Sequence, residues 1–385
     1  MKFATRVERI ETSEELMVGD LAAELEEEGR DIIDLSVGQP DVQTPSPIVE
    51  AGIAAIEAGH TGYTPTAGLA DLRRAIAENK FATRDGIDYG SENVLVTPGA
   101  RLALFLSIQS FVEEGDDVIL FEPVFTSFDS VVELAGGRPI RVDLSTHEFK
   151  LEPALDELAA VITPDTRMVV LNAPVNPSGM CFSDAALAGV RDLAVDHDLV
   201  VISDEIYNEL TYGDEQTSIA TLDGMFERTI TVNGFSKAYA MTGWRLGYMG
   251  APAEVLDRIT TIYSHAAACA PNFVQHAGIT AMESVDIDEF AGSMMETFDS
   301  RRTYLVERCA KRGIDVPVPD ATFFVMIPLG TEDDVTWCER AIRDAGVALV
   351  PGSAYGTPGY ARVSLVQPEA RIAEAVDRLV EYELL

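Results

Sequence analysis

Lysine is scarce in this chain. Of 28 basic residues in 385, five are lysines (Lys2, Lys80, Lys150, Lys237 and Lys311) and the rest are arginines. Cysteine and histidine number four and five, and no two cysteines stand in C-x-x-C spacing, which argues against a structural metal site or a disulfide framework. No apolar run approaches the length of a membrane span. The amino-terminal MKFATRVERIETSEE has no apolar core of the kind a secretory signal carries, so a cytoplasmic location is the expectation. Low-complexity tracts and internal repeats are missing. So are the G-x-G-x-x-G fingerprint after the first strand and the P-loop pattern, which removes the usual signs of a nicotinamide enzyme or a nucleotide triphosphatase.

Acid is what the chain has in excess. Its 64 Asp and Glu residues give a formal net charge of −36, a surface that repels nucleic acid and anionic membrane. The acids are spread beside apolar positions, as in DLAAELEEEG, VEEGDD and RDLAVDHD, the pattern of solvated helix faces. Together with the shortage of lysine, this suggests a halophilic protein working in high salt, where screening suppresses self-repulsion. The 47% apolar content is ample for real cores, and the length calls for a large domain plus a smaller one.

From residue 94 short apolar runs alternate with helical stretches. NVLVT, DVILF, RPIRVD, RMVVL, LVVIS, TITVN and LGYMG read as strands, and RLALFLSIQSFV, FTSFDSVVELAGG and SDAALAGVRDLAVDH as helices. This alternation predicts an α/β domain over residues 45–285: a mostly parallel seven-stranded sheet with helices on both faces. Residues 286–385, with IDVPVPDATFFVMIPL, GVALVPG and YARVSLVQ before a closing helix, predict a smaller α+β domain completed by residues 1–44.

Ligands of open α/β sheets bind beyond the carboxyl ends of the strands. There the sequence places Pro98-Gly99-Ala100-Arg101, Glu122-Pro123-Val124-Phe125, Asn172-Ala173-Pro174-Val175-Asn176-Pro177, Asp204-Glu205-Ile206-Tyr207 and Gly234-Phe235-Ser236-Lys237. A helix opening at Gly99 suits a phosphate, though taken alone it is more simply a tight strand-to-helix turn. Lys237, among small residues and near Arg245, is placed to have its ammonium form disfavoured and to condense with a carbonyl as a neutral amine. Arginine forms no stable imine, so a required imine resists the replacement that removed most other lysines. Asp204 ends an apolar strand and needs a cation, for which a protonated pyridine nitrogen serves; an N-cap is the competing role. Asn176 and Tyr207 can donate to a phenolic oxygen, and Phe125 can stack on a flat ring. At successive strand ends these parts describe a pyridoxal-phosphate site with no metal.

With these residues the chain resembles the class I/II, aspartate aminotransferase-like enzymes of pyridoxal-phosphate fold type I, from Gly38-Gln39-Pro40-Asp41 to Arg362. The most specific segment is Ser236-Lys237 followed by AYAMTGWRLGY. The resemblance implies that Lys237 carries the cofactor and then moves the substrate proton, that Asp204 keeps the pyridine nitrogen protonated, and that Asn176 and Tyr207 bond the ring hydroxyl. It implies phosphate contacts from Gly99, Ala100, Ser236 and Arg245, with Arg101 beside them, and from Tyr63 reaching the neighbouring subunit of a homodimer. Phe125 would stack on the ring. Arg362 would fork onto the substrate α-carboxylate, assisted by Gly38 and Asn176; a surface salt bridge is the plainer role open to it. Gly234 and Gln39 depart from the common pattern, which carries a hydroxyl and a glutamate at those positions.

The implied reaction is ping-pong transfer of an amino group from an L-amino acid to a 2-oxo acid such as 2-oxoglutarate. Arg101 favours aspartate and glutamate if it faces the pocket, and otherwise only neutralises an acidic surface. Glu14 or Glu15, turned inward, would repel a dicarboxylate and favour aromatic or other neutral amino acids. A C–S lyase would use the same cofactor site. A cofactor-sensing regulator would need a DNA-binding domain, for which the chain has neither room nor charge.

Overall fold

The computed structural model describes residues 2–385 apart from Arg9, Glu11, Thr12, Ser13 and Asp214, with the backbone alone for Glu14. Strand β1 is Ile33–Asp34, followed by β2 Val94–Thr97, β3 Asp117–Glu122, β4 Arg138–Asp143, β5 Thr166–Asn172, β6 Val200–Asp204, β7 Thr229–Gly234 and β8 Gly247–Gly250. Strands β2 to β8 form one seven-stranded sheet in the order β2-β8-β7-β6-β5-β3-β4, which is the sheet the apolar runs predict.

The reason these segments make this sheet lies in their period. In β3, Val118 and Leu120 join one core while Ile119 and Phe121 join another; in β5, Met168 and Val170 divide from Val169 and Leu171 in the same way. Both faces are therefore buried, and the strands are apolar almost throughout. The helices Ala100–Phe111, Ser127–Ala135 and Ala253–Ala266 cover one face; Leu155–Val161 and Asp184–Asp196 cover the other. β4, at the edge, is the exception. It carries Arg138, Arg141 and Asp143 in exposed positions, and Pro139, which an edge tolerates.

Strand β8 departs from a parallel sheet, because it runs antiparallel to both β2 and β7. This reversal has a functional consequence. Its beginning lies at the same rim as the ends of its neighbours: Gly247 pairs with Thr97 and with Gly234. Arg245, two residues before Gly247, thus joins Gly99 and Lys237 at one edge of the sheet.

Beyond the sheet, the helical stretch after residue 250 is three helices, Ala253–Ala266, Asn272–Ser284 and Ile287–Ala310. Then come β9 Phe324–Pro328, β10 Val347–Ala348, β11 Val350–Pro351 and β12 Tyr360–Ser364. β11, β12 and β9 form an antiparallel sheet, and β10 pairs in parallel with β1 from the amino-terminal segment. The closing helix Glu369–Glu381 buries Ile372, Ala375, Val376 and Leu379, one face of a 3.6-residue period. Among the described residues no helix is long and apolar enough to cross a membrane.

The helix Glu14–Glu27 is held by apolar packing from Val18 onward. Ala22 and Leu25 share a small cluster with Ile32, Ile342 and Ala348, whereas Leu16 and Met17 are exposed.

Candidate active site

A cavity of about 640 Å³ opens at the rim where the strands end. Ten of the thirteen residues expected at the site line it: Gly38, Ala100, Arg101, Phe125, Asn176, Asp204, Tyr207, Ser236, Lys237 and Arg245. Gly99 and Arg362 lie directly behind this surface. Tyr63 is elsewhere, 91% exposed.

Lys237 follows β7 and points into the cavity. Its Nζ donates to the Gly38 carbonyl and lies 5.5 Å from the Tyr207 ring centre. Burial lowers its pKa to about 8, against the pull of Glu15, and Arg362, Arg101 and Arg245 lower it further. At pH 7 the amine is therefore neutral in roughly a tenth of molecules, several hundredfold more than for an exposed lysine.

Asp204 closes β6. Its one side-chain hydrogen bond among the described residues is accepted by Oδ1 from the Ile206 amide at 3.3 Å. Burial pushes its carboxyl up to about 7, while the Ile206 amide and Lys237 hold it down. It does not cap a helix, since no helix begins at Ile206 or Tyr207. Tyr207 is buried, with Phe323 and Phe324 edge-on to its ring at 6.0 and 5.7 Å, and burial raises its hydroxyl well above the ordinary tyrosine range.

At the other end of the cavity Gly99 has φ +82° and precedes the helix Ala100–Phe111, whose unpaired amides face the rim. A Cβ on Gly99 would lie 2.5 Å from Arg245 Nη2, so a glycine lets the guanidinium settle against the backbone. Arg245 itself has φ 56°, a left-handed conformation that costs a non-glycine residue of order 1–3 kcal/mol. Its Nη1 donates to the Thr242 carbonyl at 2.8 Å. Cationic groups and free amides are thus gathered around one small volume. Gly234, where a hydroxyl was expected, packs on the strand beside it: a Cβ there would come within 3.0 Å of Gly247 Cα.

Arg362, on β12, is completely buried between the rings of Phe324 and Tyr355, at 4.5 and 5.2 Å. Nη1 donates to Asn176 Oδ1 at 3.3 Å, Nη2 donates to the Ser36 carbonyl, and Nε has no partner among the described residues. Nη2 also lies 2.9 Å from Glu15 Oε1. A surface salt bridge is excluded by this burial. Glu15 points inward; the Glu14 side chain lies outside the described residues. Arg101 lines the cavity with its guanidinium 5.3 Å from the Phe125 ring centre and has no acidic partner among the described residues.

Several contributors escaped the sequence reading. The rings of Phe323, Phe324 and Tyr355 and the Ser36 carbonyl form the box around Arg362, and Thr242 donates to Gln39 Oε1 at 3.0 Å. Arg301 grips Asp41 with two hydrogen bonds, 3.0 and 2.8 Å, which fixes the Gly38-Gln39-Pro40-Asp41 turn. The paired aromatics of FFVMIP and the Ser36 next to that turn were the only signals available. The contacts to Ser36, Gln39 and Asp41 themselves join segments more than two hundred residues apart.

The sequence model of the family described as aminotransferase class I and II matches residues 30–379. An aspartate aminotransferase of Thermotoga maritima is 35% identical over 98% of both chains. An aromatic-amino-acid aminotransferase of Thermococcus litoralis is 36% identical over 98% of this chain and 97% of its own. Among solved structures, the aspartate aminotransferase of Thermus thermophilus with maleate superimposes with a TM-score of 0.95 at 34% identity, over 99% of each chain.

Proposed function

Because the chain belongs to the class I and II aminotransferases, enzymes dependent on pyridoxal 5′-phosphate, we propose that it moves the amino group of aspartate or glutamate to a 2-oxo acid such as 2-oxoglutarate, one substrate after the other. The residues present fit the cofactor. A buried carboxylate with no ion pair among the described residues, an amine of lowered pKa and a cationic cradle at a helix start share one cavity, and a Cβ at Gly99 would spoil the cradle. When bound, the cofactor supplies an aldehyde for the amine and a ring that withdraws electrons from the substrate α-carbon.

The protein's own groups divide the remaining work. Lys237 Nζ holds the cofactor and afterwards takes and returns the α-proton, for which a pKa of about 8 is well matched. Asp204 would meet the ring nitrogen, whose protonated form would keep the carboxylate ionised. Tyr207 Oη and Asn176 Nδ2 would donate to the ring oxygen. The amides after Gly99, the Ser236 hydroxyl and Arg245 would hold the phosphate, and Phe125 would cover the ring. Arg362 takes the α-carboxylate, beside Gly38 and Asn176.

The preference for dicarboxylates is carried by one observation: Arg101 lines the cavity and has no acidic partner among the described residues. A second distal possibility rests on Leu16, an apolar side chain 60% exposed that lines the same cavity and would suit an aromatic substrate. Mixing the loaded enzyme with single amino acids decides between them. Aspartate and glutamate should bleach the cofactor's visible band and release their 2-oxo acids; reaction of phenylalanine and tyrosine alone sinks the dicarboxylate assignment.

The homodimer is supported by exposed Tyr63, with Ile53 and Ile56 exposed on the helix Ser46–Glu57; Tyr63 would serve the other subunit's phosphate. Division into residues 45–285 and 1–44 with 286–385 is supported by the pairing of β1 with β10. The few cysteines support a cytoplasmic setting, and the charge of −36 a halophilic one.

A further inference from the structure

The Glu15 carboxylate lies where a substrate carboxylate would have to go. It accepts from Arg362 Nη2 at 2.9 Å, and its Oε1 would lie 3.5 Å from a Cβ placed on Gly38. Arg362 does not reach the cavity surface at all; Glu15, bonded to it, does. We propose that Glu15 is an internal ligand of the α-carboxylate subsite, which an incoming carboxylate displaces from Arg362. The inference rests on Arg362 being that subsite.

Three features make this a replaceable occupant rather than a fixed strut. First, Glu15 meets one guanidinium nitrogen only, and the buried Nε has no partner among the described residues. A carboxylate presented squarely to the fork makes two parallel bonds, so the exchange trades a weaker contact for a stronger one at no net change of charge. Second, Glu15 lies in the first turn of its helix, ahead of the apolar anchor, which begins at Val18 beside Ala22 and Leu25; Leu16 and Met17 are exposed. Third, Gly19 lies four residues after Glu15 in the same helix. A Cβ there would meet nothing within 4 Å, so the glycine answers no packing demand and leaves the helix weaker at that point than alanine would.

The consequence is a built-in competitor. Ligand affinity is reduced by the fraction of molecules in which Glu15 has left Arg362. An ion pair formed within the chain is always at hand, so this fraction is small in the free enzyme. The same pair shields the guanidinium from solvent while no ligand is bound.

The test uses loaded enzyme at fixed ionic strength and two unreactive probes, succinate and 3-phenylpropionate, with affinities measured by titration calorimetry. Glu15→Gln should bind both roughly tenfold more tightly than the unaltered protein, and the amides of residues 15–19 should exchange hydrogen faster in the probe-free variant. Faster exchange with unchanged or weaker affinity would make Glu15 a helix support and overturn the proposal. Arg362→Lys separates the two levels. If it leaves probe binding intact, Arg362 is not the carboxylate subsite. If it weakens binding while Glu15→Gln has no effect on affinity, the subsite stands and the internal ligand does not.

Discussion

Gly247 packs so closely on Ala100 that a Cβ on the glycine would lie 2.3 Å from the Ala100 nitrogen and 2.5 Å from the Gly99 carbonyl carbon. Both are backbone atoms and cannot swing aside. The start of β8 therefore sets how the first turn of the Ala100–Phe111 helix sits against Arg245. Gly247→Ala should push this turn outward, at a cost of about 1–3 kcal/mol in stability, and should weaken cofactor binding at least tenfold. Titration of the cofactor-free variant, followed by visible absorbance, measures the second effect. An unchanged dissociation constant would detach the turn from phosphate binding.

Arg301 acts at a distance on the same centre. Its two bonds to Asp41, and a third to the Leu365 carbonyl at 2.7 Å, clamp the turn whose Gly38 carbonyl receives Lys237. Arg301→Met leaves Asp41 without its partner and should cost about 2–4 kcal/mol, read as a lower urea midpoint. Arg301→Lys should restore part of this, since a point charge cannot reproduce the fork. Asp41→Asn combined with Arg301→Met should be less damaging than the sum of the two single changes.

What the sequence disclosed and what it hid follow from the range of the contacts. Asp204 was legible because it ends an apolar strand and Lys237 because it stands three residues past one, and strand ends collect ligands. The strands inside the sheet were legible because both their faces are buried, which leaves mostly apolar runs. The direction of β8 was not, since GYMG reads alike either way; the clue was a connection of only twelve residues after β7, containing no helix. The clamp of Arg301 on Asp41 spans 260 positions, and nothing in either segment names the other. Glu15 was visible as an acid near the site, but only the fold turns it onto Arg362.

Asp204 carries a pH signature. Its carboxyl stands at about 7 in the folded protein through burial and near 3.9 in an unfolded chain. Between those values the folded state keeps a proton that the unfolded state has lost, so stability falls as pH rises from about 4 to 7. In cofactor-free protein, Asp204→Asn should remove this loss and raise stability at pH 8 by on the order of 2–4 kcal/mol, with no difference near pH 4. Glu122 and Glu205, also pushed up to about 7 by burial, leave a residual slope in the variant. Denaturant titrations at several pH values measure the difference. In the loaded enzyme the order should reverse, because the ring nitrogen then supplies the cation that the carboxylate otherwise goes without.

Arg101 and Arg362 should separate by substrate. Arg362→Lys keeps the charge but loses the fork, so kcat/KM should fall about a hundredfold or more for every amino acid. Arg101 stacks on Phe125 at the cavity wall and meets no acid among the described residues. If it awaits a second carboxylate, Arg101→Gln should lower kcat/KM for aspartate and glutamate by about ten- to a hundredfold, the loss of one charge-assisted contact. Phenylalanine and tyrosine should change by less than threefold. An equal loss for all four, accompanied by weaker cofactor binding, would instead assign the Arg101 guanidinium to the phosphate, next to Arg245. The distal pocket would then owe its selectivity to Leu16 and to the acids of the Glu14–Glu27 helix.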